Sequence, residues 1–240
     1  MASVEVDWRK LKIIVTQIAY NLAEVRKAIA AAARRAGRDP GGVRLVAVSK
    51  TVDLDRIRAA IDAGQDIFGE NYLQEAQAKI DALGRKVGWH LVGHLQTKKA
   101  KGAVELFDLI HSVDRLKLAQ ALEAAAARLG KVQDVLIQVN QGGEDTKSGV
   151  TPEAAPDLLQ EVARLPHLRL LGLMSMPPWF PDPEETRPYF RALRELRDRL
   201  RGLTGLPLAE LSMGMSGDFA IAVEEGATLV RVGTAIFGRR

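Results

Sequence analysis

Eight short apolar runs, each followed by a stretch with helical spacing, dominate the chain after residue 42. The runs are apolar on both faces, a pattern typical of parallel strands that helices cover on either side. About eight strand–helix units in roughly 250 residues are typical of a (β/α)8 barrel. We therefore predict an α/β protein built as a single (β/α)8 TIM barrel. The predicted strands are residues 43–50, 66–70, 88–94, 107–113, 134–140, 168–176, 208–214 and 228–238.

A doubly wound open sheet is the main rival, because it also alternates parallel strands with helices. That fold would need a glycine-rich turn after its first strand, whereas the turn after Lys50, TVDLD, contains no glycine. Before the first strand, Ile18, Leu22 and Val25 recur at helical spacing, and Gly37 follows them, which predicts an extra N-terminal helix. No repeat or linker marks a second domain, so we expect residues 1–240 to form one domain.

The composition narrows the classes of function. Because the chain has no cysteine, disulfides, zinc–thiolate sites and a cysteine nucleophile are excluded, and a reducing cytoplasm is suitable. The net charge is +4, aromatic residues make up 5%, and acidic residues are spread among the basic ones, which favours a small anionic ligand no less than RNA. With no secretory signal and no apolar stretch long enough for a bilayer, we expect a cytoplasmic protein without membrane or nucleic-acid partners.

Two charged residues stand where a barrel carries its chemistry, near the carboxyl ends of strands. Lys50 ends the first apolar run, and it is either a surface lysine with a packed stem or an amine that forms an imine. Arg231 interrupts the eighth run, TLVRVGT, and a buried guanidinium needs hydrogen-bond acceptors. Its partner is either a carboxylate such as Glu70 or a polar ligand in the barrel mouth.

Two loops rich in small residues follow the last two predicted strands. They read SMGMSG (212–217), before a helix expected to begin near Ser216, and VGTAIFG (232–238). Loops at these places often bind phosphate through backbone N–H groups and a helix N-terminus. Asp218 would oppose such an anion if it pointed inward. An amine, a cationic partner and a phosphate cradle together match the needs of pyridoxal phosphate (PLP), which carries an aldehyde, a ring nitrogen and a phosphate.

Seven motifs strengthen this interpretation through a resemblance. In their order, and over nearly the whole chain after Arg44, they resemble those of the pyridoxal phosphate homeostasis protein family. The resemblance implies a fold-type III PLP barrel, like the N-terminal domain of alanine racemase. The motifs are AVSK (47–50), FGENYLQEA (68–76), WHLVGHLQ (89–96), KSG (147–149), GLMSM (172–176), LSMGMS (211–216) and VRVGTAIFG (230–238).

The resemblance also implies roles for single residues. Lys50 would form the internal aldimine with PLP, and Arg231 would face the pyridine nitrogen. Asn71 and Ser175 would lie beside the cofactor. The residues expected to hold the phosphate are Ser212, Ser216, Gly233 and Thr234. One departure is GHLQTKKA, in which Lys98 takes the place of the family's usual asparagine, so no role is assigned to that loop.

These expectations leave two hypotheses open. The first is a carrier, monomeric and without catalytic turnover, that holds PLP for vitamin B6 and amino-acid homeostasis, with PLP-dependent apo-enzymes as recipients. Two expectations favour this carrier over a dedicated enzyme. A cation beside the ring nitrogen makes the ring a poorer electron sink. The chain is also expected to lack the second domain from which racemases take a tyrosine. The second is a weak amino-acid racemase, in which Tyr72, His94 or a lid at 177–185 would supply the second proton-transfer group.

Three other patterns are interpreted as structural. His90 and His94 are spaced like a metal pair, but four residues along a strand span roughly 13 Å, so no metal site is predicted. His111 lies in an apolar strand and is expected to be a core residue with its hydrogen bonds satisfied. The arginine-rich segment near 184–202 and the basic run TKKAK (97–101) are expected to be solvated helix surfaces.

Overall fold

Eight parallel strands close into a barrel in which each strand pairs with the next along the chain and the last pairs with the first. The structure is a computed structural model that describes residues 8–143 and 148–238, with side chains described for 15–143 and 148–238. The predicted (β/α)8 architecture is confirmed. The strands are β1 (Arg44–Val48), β2 (Ile67–Glu70), β3 (Gly88–Leu91), β4 (Leu109–Val113), β5 (Gln133–Val139), β6 (Leu168–Ser175), β7 (Glu210–Ser212) and β8 (Leu229–Val232).

A helix follows each strand, and a long helix precedes the first one. In the described part of the chain, no helix combines the length and the apolar character that a membrane span requires. The helices are α1 (Trp8–Arg35), α2 (Leu54–Asp62), α3 (Leu73–Leu83), α4 (Ala100–Leu106), α5 (Leu116–Arg128), α6 (Ala155–Ala163), α7 (Arg187–Thr204), α8 (Phe219–Glu224) and α9 (Thr234–Phe237). Short 3₁₀ turns occupy Pro40–Gly42, Thr97–Lys99 and Pro183–Thr186.

The N-terminal helix α1 covers the seam where the barrel closes. Its residues Ile18, Leu22 and Val25 are buried, as their helical spacing predicts, and α1 packs against α2, α8 and α9. The side-chain amide of Asn21 donates to the carbonyl of Ile236 at 2.8 Å. Burial of this apolar stripe therefore ties helix α1 to the helices on both sides of the β8–β1 pairing.

Apolar side chains form two separate cores because neighbouring residues of a strand point to opposite faces. Ala47 belongs to the large core between the strands and the helices, whereas Val46 belongs to a smaller cluster. That smaller cluster draws one residue from each of several strands and fills the barrel interior, as side-chain layers do in such barrels. Its buried members are Val46, Val92, Leu109, Leu136, Met174 and Leu229.

Two predicted boundaries near the C-terminal end are wrong. The eighth strand stops at Val232, and helix α9 occupies much of the remainder of the predicted strand 228–238, because the backbone leaves the sheet at Gly233. The helix after β7 begins at Phe219 rather than near Ser216, because residues 216–218 form a turn before it. Lys147, in the KSG motif, lies outside the described residues.

The arginine-rich helix α7 is joined by ion pairs to the last residue of α8 and to the residue that follows it. Arg187, Arg191 and Arg194 donate to the Glu225 carboxylate at 3.2, 3.0 and 3.1 Å, and Arg187 also donates to Glu224 at 2.8 Å. Burial alone would raise the pKa of Glu225, but the hydrogen bonds from Arg191 and Arg187 hold that pKa below its usual value. The prediction of a simple solvated face is therefore wrong for this side of α7, which carries an ion-pair network.

Candidate functional site

A cavity of about 390 Å³ opens at the carboxyl ends of the strands, where barrels of this kind carry their sites. Its volume lies in the range of small-molecule pockets. Several strand ends contribute to its lining. Six of the eight residues expected to bind the cofactor line it, namely Lys50, Asn71, Ser216, Arg231, Gly233 and Thr234.

Lys50 lies in the turn that follows β1, and its side chain is half-buried at the cavity. Across the cavity wall, Gly93 packs on the backbone of Asn71. A Cβ atom at Gly93 would lie 2.6 Å from the Asn71 carbonyl oxygen and 2.7 Å from its Cα, distances that real Cβ atoms do not show. Glycine is therefore required there. The sequence analysis did not identify Gly93. The available signal was a glycine placed just after a buried strand.

The two loops of small residues meet as the sequence suggests. The Ser216 hydroxyl accepts hydrogen bonds from the backbone N–H groups of Gly233 at 3.2 Å and of Ala235 at 3.3 Å. Ser216 thus joins the loop after β7 to the start of α9 at the cavity wall. The Asp218 carboxylate accepts the N–H of Met215 at 2.6 Å, and Asp218 is not among the residues that line the cavity. Because the Ser216 oxygen accepts both N–H groups, its hydroxyl proton can be donated to an anion in the cavity.

Arg231 is buried between the cavity and the barrel interior, with 4% of its surface exposed. It donates to the Ser212 hydroxyl at 2.6 Å and to the Ser175 carbonyl at 2.9 Å. Burial lowers the pKa of Arg231 to about 10, so the guanidinium is still protonated at neutral pH. The alternative pairing with Glu70 is wrong, because Glu70 accepts hydrogen bonds from Lys79 and Ser49 instead.

Ser212 and Ser175 lie beneath the cavity rather than in its lining. Both are buried, and each contacts Arg231, one through its hydroxyl and the other through its carbonyl. The Ser212 hydroxyl, which was expected to contact the phosphate, is bonded to Arg231 and His111, and its contact with a phosphate stays a prediction. The Ser175 hydroxyl is buried and has no hydrogen-bond partner among the described residues.

A chain of hydrogen bonds continues from Arg231 into the barrel interior. Because a guanidinium only donates, the Ser212 oxygen accepts from it, and the Ser212 proton goes to Nδ1 of His111 at 2.8 Å. His111 then carries its proton on Nε2 and donates to Nδ1 of His90 at 3.0 Å. Burial lowers the pKa of His90 to about 3 and that of His111 well below its usual value, so both rings are neutral. The expectation that His111 is a satisfied core residue is confirmed.

The groups considered for a second proton-transfer role differ in position. His94 lines the cavity, and its Nδ1 lies 2.8 Å from the Ser148 hydroxyl. Tyr72 stands at the N-terminal end of α3, is 61% exposed and does not line the cavity. In the segment 177–185, Trp179 is 83% exposed. Within residues 8–143 and 148–238, no group of acidic and histidine side chains could hold a metal ion.

The residues of the cavity fit PLP. Lys50 supplies an amine, and Arg231 supplies a cation. Two of the five N–H groups of Arg231 have hydrogen-bond partners in the described structure. The loops joined by Ser216 supply donors beside Gly233, where a Cβ atom would lie 3.1 Å from the Val48 carbonyl oxygen. The buried Ser175 hydroxyl next to Arg231 offers a further polar contact.

Known proteins resemble this chain over most of its length. The model of the family "Alanine racemase, N-terminal domain" matches residues 20–240. The pyridoxal phosphate homeostasis protein of Aquifex aeolicus is 47% identical over 91% of this chain and 96% of its own. Its counterpart in Escherichia coli K12 is 44% identical over 94% of this chain and 98% of its own. The structure of PipY from Synechococcus elongatus, solved with PLP bound, is 40% identical with a TM-score of 0.83 and covers 92% of this chain and 100% of that one.

Proposed function

Since the chain belongs to the pyridoxal phosphate homeostasis protein family, we propose that it binds PLP at the barrel mouth as an imine of Lys50. The proposal extends to the role of that binding, which is to hold the cofactor for vitamin B6 and amino-acid homeostasis without dedicated turnover. The absence of cysteine suits a carrier in the cytoplasm. We further propose that it works as a monomer and that PLP-dependent apo-enzymes are its recipients.

One observation carries the proposal. Lys50, Arg231 and the joined loops of Ser216 and Gly233 come from strands at both ends of the chain, yet they line one cavity of about 390 Å³. The amine of Lys50 would condense with an aldehyde and release one water. Arg231 would face the ring nitrogen, and the loops would receive the phosphate, with Asn71 and Ser175 beside the ring. Ser212 would act through Arg231, which its hydroxyl holds in place.

Arg231 also supports a role without turnover. When bound, the cofactor supplies an electron sink to enzymes whose active sites protonate its ring nitrogen. A guanidinium facing that nitrogen disfavours its protonation, because a second positive charge would lie beside the first. Arg231 is held on two sides, by the Ser212 hydroxyl and the Ser175 carbonyl, so it does not turn away easily.

Weak racemisation is the second candidate, and the position of His94 in the cavity lining is the observation that favours it. Racemisation needs one group on each face of the substrate, and His94 would be the group that complements Lys50. Incubation with a panel of amino acids in deuterated water tests this directly. Deuterium at the α-carbon that disappears in both His94→Ala and Lys50→Ala would support racemase chemistry, and no exchange in the wild-type protein would refute it.

Borohydride reduction followed by peptide mass mapping tests the proposed imine. We expect a pyridoxyl group on the peptide that contains Lys50, and its loss in Lys50→Ala. Lys98→Ala is the matched control, because Lys98 is an exposed lysine and does not line the cavity. A protein that stays colourless after soaking in PLP, or a pyridoxyl group found on another lysine, would contradict the proposal.

A further inference from the structure

Thr51, the residue after Lys50, has a backbone φ of +60°. This left-handed conformation is a genuine outlier for a β-branched residue. Among the described non-glycine residues, only Leu208 shares a positive φ. Such a conformation persists when the surroundings impose it, and it is concentrated at functional sites. The contacts that hold Thr51 therefore bear on how Lys50 is presented.

Lys79, on helix α3, holds one of the peptide groups that flank Lys50 directly and the other through Glu75. Its ammonium donates to the carbonyl of Ser49 at 2.6 Å and to Oε1 of Glu75 at 2.7 Å. The same Glu75 oxygen accepts the backbone N–H of Thr51. The peptide group before Lys50 is thus held directly by the Lys79 ammonium, and the peptide group after it is held through one carboxylate.

The third donor of Lys79 completes a rigid cluster. It goes to Oε1 of Glu70 at 2.7 Å, and that oxygen also accepts the Ser49 hydroxyl at 2.6 Å. An ammonium has three N–H donors, so each one has an acceptor here. Burial raises the pKa of Glu70, while the hydrogen bonds from Lys79 and Ser49 oppose that rise. Because Lys79 is only 6% exposed and all its donors are used, it has little freedom to move.

We propose that Lys79 is a positioning residue that aims the Lys50 side chain into the cavity. The two peptide planes that meet at the Cα of Lys50 set the direction of its Cα–Cβ bond, and both planes are tied to the Lys79 ammonium. Lys79 does not line the cavity, so it acts through the backbone and not by touching a ligand. The inference rests on the proposed function for the identity of the ligand that Lys50 binds. The hydrogen bonds of Lys79 do not depend on that ligand.

The first test uses the protein without cofactor. Lys79→Met keeps an unbranched side chain that is one heavy atom shorter and removes the three donors. Lys101→Met is the matched control, because Lys101 faces Glu105 with the same four-residue spacing as Lys79 and Glu75 but is 74% exposed. We expect the Thr51 amide to exchange with solvent roughly tenfold faster in Lys79→Met, since its acceptor is no longer held, and to be unchanged in the control. Equal exchange in both variants would overturn the inference.

The second test measures imine formation at Lys50 by absorbance after mixing with PLP. Lys79→Met should slow the formation of the C=N bond roughly 10- to 100-fold, as expected for a misplaced amine. Binding of pyridoxine 5′-phosphate, which has an alcohol instead of the aldehyde, should stay within about twofold if the pocket itself is intact. An unchanged rate, or an equal loss of affinity for this analogue, would refute the positioning role.

A second substitution distinguishes positioning from a general effect on folding. Glycine adopts a positive φ without the cost that threonine bears, so adding Thr51→Gly to Lys79→Met should recover part of the rate. If Lys79 only stabilises the fold, adding Thr51→Gly should not restore the rate of imine formation. If the wild-type protein forms no imine at all while the Thr51 exchange result holds, the proposed function fails and the backbone role of Lys79 stands.

Discussion

The hydrogen-bond chain below the cavity gives the sharpest stability prediction. Ser212→Ala removes one oxygen atom that accepts from Arg231 and donates to His111. A hydrogen bond to a charged group is worth about 1.5–3 kcal/mol, and a buried acceptor left without a donor costs about 1–3 kcal/mol more. Because network terms are not strictly additive, we expect the free energy of unfolding to fall by about 3–5 kcal/mol.

Ser112→Ala is the matched control, because it removes the same atom from an equally buried strand residue. Ser112 and Ser212 are both 0% exposed, but the Ser112 hydroxyl has no hydrogen-bond partner among the described residues. Replacing it should leave stability unchanged or raise it slightly, since no bond is lost. Urea unfolding followed by circular dichroism, with the midpoint compared at constant m-value, measures both variants. If the two variants differ by less than about 1 kcal/mol, the hydrogen-bond chain does not have the strength inferred for it.

Two further predictions concern other parts of the structure. Glu225→Gln should lower the free energy of unfolding by about 1–2 kcal/mol at pH 7. This difference from the wild-type protein should disappear in unfolding measurements as the pH falls below about 4.5. The reason is that a carboxyl with a lowered pKa stabilises the fold only while it is ionised. A pH-independent difference would contradict the ion-pair explanation. Gly93→Ala should cost about 1–3 kcal/mol in thermal or urea unfolding because its Cβ would overlap the backbone of Asn71. Gly202→Ala, with nothing within 4 Å, should cost nothing, and equal effects would show that steric overlap is not the cause.

The elements of the fold were largely predictable because their signal is local. Each strand appears as an apolar run and each helix as a 3.6-residue period, and these patterns depend only on neighbours in the chain. The errors fall where a distant contact decides the conformation. Helix α9 replaces the end of the predicted eighth strand, at a point where the N–H groups of Gly233 and Ala235 bond to Ser216 rather than to a strand. No local pattern contains that hydroxyl.

The site was predictable in its composition but not in its connections. Residues at the ends of strands could be identified because parallel strands in a barrel bring their carboxyl ends together. The hydrogen-bond partners of Glu70 and Arg231 could not be identified in the same way. Both are charged residues at strand ends, so their spacing in the sequence allows them to pair with each other or with other residues. In the structure, Glu70 accepts a hydrogen bond from Lys79, and Arg231 donates one to Ser212. Ser212 accordingly lies below the cavity, although its motif suggested a phosphate contact.

By itself, the sequence determined the barrel and the end of the barrel that carries the site, since apolar periodicity and strand order are properties of the chain alone. Only the tertiary structure decided which buried polar groups meet. His111 and Ser212 are 101 positions apart, and Lys79 reaches Ser49 from the second helix of the barrel. Such pairings follow from register and barrel closure, because a buried donor bonds to whichever acceptor the packing of the strands and helices brings within about 3 Å.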